Sequence, residues 1–458
     1  MKEKGGHLVI RNRAFRTLVF ILSVTMIGTI LLTGPAVASE PRITANKDGT
    51  PLAFDVQPRI IRGRVMVPLL TISESLGATV DWNLANSTVT IKQKGATLVL
   101  TVNSTRATRN GQQITLDSPA VMIRGRTLVP LRFISEALGF GIIWDEQARS
   151  VSIMSRLDNL SLLGPISPVT FPFLHLAEGD ALRHITRQTQ VHIARTVDML
   201  RAQALAGDIH FAAMPTYVAA NLYNRGVNLR LINVSVWGSL YIVGEAGAPV
   251  RVLEDLKGQR LVIPSRGDMP DILFRFLANR KGLNTERDVQ IEYVPSPMEA
   301  AQLLAAGRAR YAVLSEPAAT TAILRARQEG RTLERLITLR TVWGEVTGGP
   351  ARIPQAGIVA LPNIVGQEAT IRAFSEAYAQ AVSWTVANPE DTGALAARRI
   401  EGLQAPAAAS ALRFSELRAI PAIEARREIE VYFRHLSELS PEIIGGKLPD
   451  GNFYWQPK

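Results

Sequence analysis

The chain has no cysteine among its 458 residues. That excludes disulfide staples, thiol catalysis, thiolate metal sites and the lipid-carrying cysteine of a lipoprotein. Histidine is scarce as well. The six present (His7, His175, His184, His192, His210 and His435) show no metal-ligand spacing such as H-E-x-x-H. No G-x-S-x-G elbow, phosphate loop or dinucleotide fingerprint stands in a strand–helix setting, so no catalytic residue is assigned and no cofactor or metal is implied. Aromatics make up 6% of the chain, and the Arg and Lys residues are scattered among acids rather than gathered with stacking rings. Nucleic acid is therefore not the expected partner. Beyond residue 32 no apolar run is long enough to span a bilayer.

What is present is a globular composition, 47% hydrophobic and 20% charged, in a chain too long for one core. Two or three domains are expected. The front of the chain reads as a targeting segment. Lys2, Lys4, Arg11, Arg13 and Arg16 precede an apolar run from Leu18 to Leu32, and Ala36-Val37-Ala38 offers a small-x-small cleavage site. Residues 1–38 thus have the layout of a secretory signal peptide, with an uncleaved anchor as the other reading. Either one puts the remainder outside the cytoplasmic membrane, secreted or at the cell surface. The segment's five basic residues and one acid account for +4 of the net +11, leaving +7 on the rest. That excess permits attraction to anionic envelope polymers.

A duplication follows. Ile61-Arg62-Gly63-Arg64-Val65-Met66-Val67-Pro68-Leu69 recurs 62 residues later as Ile123-Arg124-Gly125-Arg126-Thr127-Leu128-Val129-Pro130-Leu131. The offset persists through Ile72-Ser73-Glu74 and Ile134-Ser135-Glu136 to Trp82 and Trp144. Pro68 and Pro130 suit the start of a helix, and Gly77 and Gly139 its C-terminal cap. Leu69, Ile72 and Leu76 share one helical face, as do Leu131, Ile134 and Leu138. Short alternating strands and the Asn110-Gly111 hairpin signal complete a small α+β unit over 42–155. The repeated Arg-Gly-Arg-x-x-Val-Pro-Leu pattern with its Ile-Ser-Glu and Trp resembles the copper amine oxidase N-terminal-like (stalk) domain. The name implies no copper here, because the segment has neither His nor Cys. The resemblance leaves two roles open, a folded spacer or adhesion to a cell-wall polymer. Arg62, Arg64, Arg124 and Arg126 read as turn residues.

From Leu160 strands alternate with amphipathic helices, the pattern of βαβ units. Strands are expected at 160–166, 191–194, 209–213, 229–234 and 239–243. A second set follows at 260–263, 289–294 and 311–314, then a return strand at 357–361 and a helical tail. Two α/β sets joined by short crossovers describe a bilobal clamshell over 160–458. One lobe takes about 160–243 and 350–458, the other about 248–342, with crossovers near Val243 and Gly357. Four segments carry a second resemblance: Asp255-Leu256-Lys257-Gly258 before a strand, Ala300 to Ala309, Leu314-Ser315-Glu316-Pro317, and Ala387-Asn388-Pro389-Glu390. In this order they are similar to the nitrate/sulfonate/taurine (SsuA/THI5-like) solute-binding proteins of ABC importers. The resemblance implies a type II periplasmic-binding-protein-like α/β clamshell that is not an enzyme. It implies a small solute held between the lobes and an ABC permease as partner. The resemblance extends to a pyrimidine synthase with a cysteine-rich iron motif, which this chain cannot supply, and to a menaquinone-pathway dehydratase, which would belong in the cytoplasm, against the signal segment. A surface interaction or sensor protein with a clamshell of this kind remains the alternative.

Ligands in such clamshells lie where strand ends of both lobes face the cleft. This selects Ser167 and Thr170, Pro215, Thr216 and Tyr217, Trp237, then Ser265, Arg266 and Asp268, and finally Glu316. A helix N-terminus attracts anions, but Asp268 and Asp271 would occupy this one, which favours a neutral or cationic ligand. A heterocycle or amine stacked on Trp237 or Tyr217, with Glu316 as partner, fits. Plainer readings stand beside these: Trp237 as buried packing, Asp268 as a helix cap, Glu316 as a salt-bridge partner.

Overall fold

The computed structural model describes residues 42–457, and the signal-segment reading of 1–38 lies outside the described residues. Among those described, no helix is long and apolar enough to cross a membrane.

The duplication appears as pseudo-symmetry. The two copies join through one four-stranded sheet, in which Arg64–Pro68 and Arg126–Pro130 run antiparallel with Val67 opposite Val129, its equivalent. Each strand turns at its proline into a short helix, Leu69–Ser75 or Leu131–Ala137, that buries Ile72 or Ile134. Ion pairs cross the axis reciprocally: Arg64 meets Asp117, and Arg126 meets Asp55 at 2.6 Å. Arg62 and Arg124 both adopt φ of 51°, so they are turn residues. The strand Thr44–Lys47 closes the second copy's sheet, parallel to Ser150–Ser155.

From Leu157 the chain builds two sheets. The first contains β1 (Leu157–Pro165), β2 (Thr186–Ala194), β3 (Phe211–Pro215) and β4 (Arg230–Val236). The second contains β5 (Leu240–Glu245), β6 (Arg260–Pro264), β7 (Gln290–Val294), β8 (Tyr311–Ser315) and β9 (Leu333–Thr338). The chain then returns to the first sheet as β10 (Ala356–Ala360) and β11 (Leu417–Pro421). The strand orders are β2-β1-β3-β10-β4-β11 and β7-β6-β8-β5-β9. In each, one antiparallel strand from beyond a crossover is inserted beside a parallel trio, which is the two-crossover clamshell topology. The strands β3 and β6 read as near-continuous apolar runs because helices cover both faces.

Two expectations change. The sequence pattern assigns the run 239–243 to the first lobe, yet β5 pairs with β8 and β9 in the second. The first crossover is therefore Trp237–Ser239, and the second precedes β10 at 348–355. The tail is not wholly helical: β11 edges the first sheet, and Leu231 bridges to Tyr454.

One apolar core runs through both lobes on the side of the helix Ala422–Leu439, which buries Ala425, Ile429, Tyr432, Phe433 and Leu436 at helical spacing. Trp343 lies 5.9 Å from Phe276 and 5.8 Å from Tyr432, ring to ring. Such pairs contribute about 0.5–1.5 kcal/mol each beyond their burial. The lobes are thus joined on this side by hydrophobic packing, with the Arg280–Glu438 ion pair beside it.

Candidate functional site

Of the residues expected to face a ligand, Tyr217 and Asp268 meet across the lobes, and most of the other polar groups are bonded within their own lobe or at the crossovers. Thr170, fully buried, donates to the Pro165 carbonyl at 2.7 Å and closes its own loop. Thr216 donates to the Pro354 carbonyl at 2.6 Å, tying β3's end to the second crossover. Trp237 has no exposed surface, and its indole donates to the Arg418 carbonyl at 3.0 Å. Its ring also carries the Arg352 guanidinium at 4.8 Å. Trp237 is therefore buried packing at the crossover. Ser167 and Pro215 are half-buried and make no side-chain bond to the opposite lobe. Ser265, at φ 56°, donates to the Pro295 carbonyl at 3.3 Å, and the exposed Arg266 lies over Tyr293 at 5.2 Å.

Asp268 precedes the helix Met269–Arg280 but makes no capping bond with its side chain. Asp271 instead accepts from the Gly267 amide at 2.9 Å. The Asp268 carboxylate reaches across the cleft. It accepts from the Tyr217 hydroxyl at 3.0 Å and from Arg201 at 3.3 Å, both on the first lobe. Burial, then the Asp268 charge, hold the Tyr217 phenol well above its ordinary range, so it is a permanent donor. Glu316, with its side chain fully enclosed, takes two bonds from Arg335 (2.8 and 2.5 Å) and one from the Thr320 hydroxyl at 2.8 Å. Burial pushes its carboxyl up, against the lowering from Arg335 and Thr320. The two carboxylates behind the preference for an amine or heterocycle are thus already partnered by Arg201 and Arg335. That preference loses its footing.

An open space does lie at the mouth of the cleft, a cavity of about 170 Å³. The first lobe contributes Ile166, Arg195 and the turn Glu401–Leu403; the second contributes Met298, Gln302 and Arg325. Their placement follows from strand direction. Ile166 and Arg195 directly follow β1 and β2. Met298 opens the helix Pro297–Ala305 after β7, where Ser296 caps by accepting from the Glu299 amide at 3.2 Å. Arg195 pairs with Glu401 at 2.5 Å. The guanidinium of Arg325, half-buried in the helix Ala318–Gln328, has no hydrogen-bond or ion-pair partner among the described residues. The rule that selected strand ends could have found Arg195. Nothing in the sequence separates Arg325 from its helical neighbours.

The comparisons with known proteins agree with this architecture. Residues 46–153 match the copper amine oxidase N-terminal domain family. Among the described residues no group of three or more His, Cys, Asp or Glu could hold a metal ion there or elsewhere. An ABC transporter protein from Parabacteroides distasonis superposes with a TM-score of 0.55 at 23% identity, over 66% of this chain and 100% of that one. The periplasmic aliphatic sulphonate binding protein SsuA from Escherichia coli gives 0.51 at 16% identity, over 66% and 93%. At these identities the likeness shows the fold. No curated protein sequence matches. The remaining family match spans residues 182–410, half of the chain and most of both lobes. With the clamshell topology, this match makes the chain a member of the family of periplasmic, phosphonate-type substrate-binding proteins of ABC transporters, carrying a copper amine oxidase N-terminal domain ahead of its two lobes.

Proposed function

We propose that the protein is a non-enzymatic, extracytoplasmic receptor that captures a small anion between its lobes and delivers it to an ABC permease. The carrying observation is the cavity at the cleft mouth, where Arg195 and the unpartnered Arg325 come from opposite lobes. Arg325 offers an open guanidinium to a phosphonate or sulfonate head, whose oxygens accept several charge-assisted hydrogen bonds at once, while Arg195, facing it from the other lobe, is held by Glu401. Such a ligand would bond both lobes only when they are closed, and so would favour closure. The hinges are the crossovers 237–239 and 348–355. The family description and the sulphonate-binding neighbour support the same anion class.

Calorimetric titration with alkylphosphonates, alkanesulfonates and, as the opposing class, polyamines tests the reading. We expect an anion to bind and Arg325→Ala to weaken it about tenfold to a hundredfold, the loss of one charged hydrogen-bond donor of about 1.5–3 kcal/mol. Binding of amines alone would overturn the polarity. A second reading, a surface interaction protein with a sealed clamshell, is favoured by the interlobe bonds of Asp268. Complete silence with every solute would shift the conclusion to it.

A further inference from the structure

A second open feature of the described molecule lies away from the interlobe cleft. A groove of about 1110 Å³ runs between the repeat domain and the first lobe. One wall is the strand Phe140–Asp145 with its following turn, carrying Trp144, Asp145, Glu146 and Gln147. The floor includes Arg156 and Leu157, where the two domains join, and the far wall is the start of the helix Glu368–Ala387 with Glu368 and Glu376. We propose that this groove is a binding site for an oligosaccharide of neutral or amino-bearing hexoses.

Size comes first. Clefts that enclose a small ligand run to roughly 300–1,000 Å³, so this one suits an oligomer. Lining chemistry comes second. Trp144 is half-buried, fixed by the repeat-domain core yet open to the groove. An indole face accepts the apolar C–H face of a pyranose ring, and the Asn, Gln and Ser groups around it match equatorial hydroxyls. Charge decides between polymers. Five carboxylates (Asp48, Asp145, Glu146, Glu368, Glu376) face two guanidiniums (Arg156, Arg372), in a chain whose net charge is +11. The local excess of negative charge opposes the polyanions that the chain's overall charge would attract. Some of these carboxylates serve the fold: Asp48 accepts from the Ser155 amide at 3.0 Å, and Glu368 from the Trp455 indole at 2.9 Å. Glu146 and Glu376 have no bonded partner among the described residues, which leaves them to bind hydroxyls or an ammonium group.

Trp82 is an internal control. It is the other repeat's equivalent of Trp144, 37% exposed and outside the groove. The test is titration of the full-length protein with oligomers of N-acetylglucosamine, oligomers of glucosamine and polyglycerol phosphate. We expect one or both sugars to bind. Trp144→Ala should weaken binding about tenfold or more, Trp144→Phe should retain much of it, and Trp82→Ala should leave it unchanged. The pair Glu146→Lys with Glu376→Lys should weaken the glucosamine oligomer more than its neutral counterpart. These two exposed positions decide the matter if Trp144→Ala does not fold. The proposal is overturned if neither sugar binds, if only the polyanion binds, or if binding survives both the tryptophan and the charge-reversal changes.

Discussion

At the scale of single residues, Asp268 holds the most unusual position. It belongs to the second lobe, yet both its polar partners, Tyr217 and Arg201, belong to the first. Its side chain is 18% exposed and that of Arg201 29%, so water screens the pair only partly. A hydrogen bond to a charged group contributes about 1.5–3 kcal/mol net, and in the open form this one is replaced by water. Asp268→Ala would therefore leave the Tyr217 hydroxyl without its acceptor only when the lobes are closed. The expected result is a shift of the ligand-free protein toward open forms, seen as a larger radius of gyration in solution scattering. An unchanged scattering curve would mean that the other interlobe contacts, the apolar packing around Tyr432 with the Arg280–Glu438 and Arg340–Glu416 ion pairs, hold the lobes. Glu316 differs in kind, because its partners Arg335 and Thr320 lie in the same lobe and stay with it whichever way the hinge moves.

At the scale of elements, the junction of the two domains is set by backbone against backbone. A Cβ added at Gly141 would stand 1.7 Å from the His184 carbonyl oxygen and 3.2 Å from the Met154 side chain. Only a residue without a side chain lets the strand Phe140–Asp145 pass the turn before β2. Gly141→Ala cannot be relieved by a rotamer change, so the repeat domain must shift off the lobe, at a cost of about 1–3 kcal/mol. We expect scanning calorimetry to show the unfolding endotherm broaden or split into two, and one transition at the original temperature would refute the close approach. This junction was invisible in the sequence, where Gly141 is one of many glycines. The buried strands were legible, since β3, β6 and β8 are near-continuous apolar runs. The edge strands β9 (Leu-Glu-Arg-Leu-Ile-Thr) and β11 (Leu-Arg-Ala-Ile-Pro) were not, because their large apolar residues (Leu333, Leu336 and Ile337; Leu417 and Ile420) fall at helical spacing. The first crossover was misplaced for a different reason: β5's apolar pattern is the same whichever sheet it joins. The candidate site divides likewise. Strand ends gave the loops, but the partners that occupy Asp268 and Glu316 follow from tertiary closure alone.

At the scale of the whole molecule, pH connects charge to stability. His175, His184 and His210 all have their pKa values lowered, chiefly by burial. All three lie in the first lobe or at its junction with the repeat domain. His210 also accepts the Ser161 amide at Nδ1, a bond that a proton there would break. A base whose folded value is depressed favours the folded form while it is neutral. Its contribution is complete above the unfolded histidine value of about 6.5 and is lost as pH falls toward the folded value. Glu316 acts in the opposite sense. Its raised value means the folded form takes up a proton first, adding stability as pH falls. Three sites oppose one, and the depressed carboxylates of Asp55 and Asp288 stay ionised until far lower pH. The urea midpoint should therefore fall between pH 7 and about pH 5, and His210→Gln should reduce that fall by removing one of the three titrations. A midpoint flat over this range, or one unaltered by His210→Gln, would show that these imidazoles titrate alike in the folded and unfolded chain.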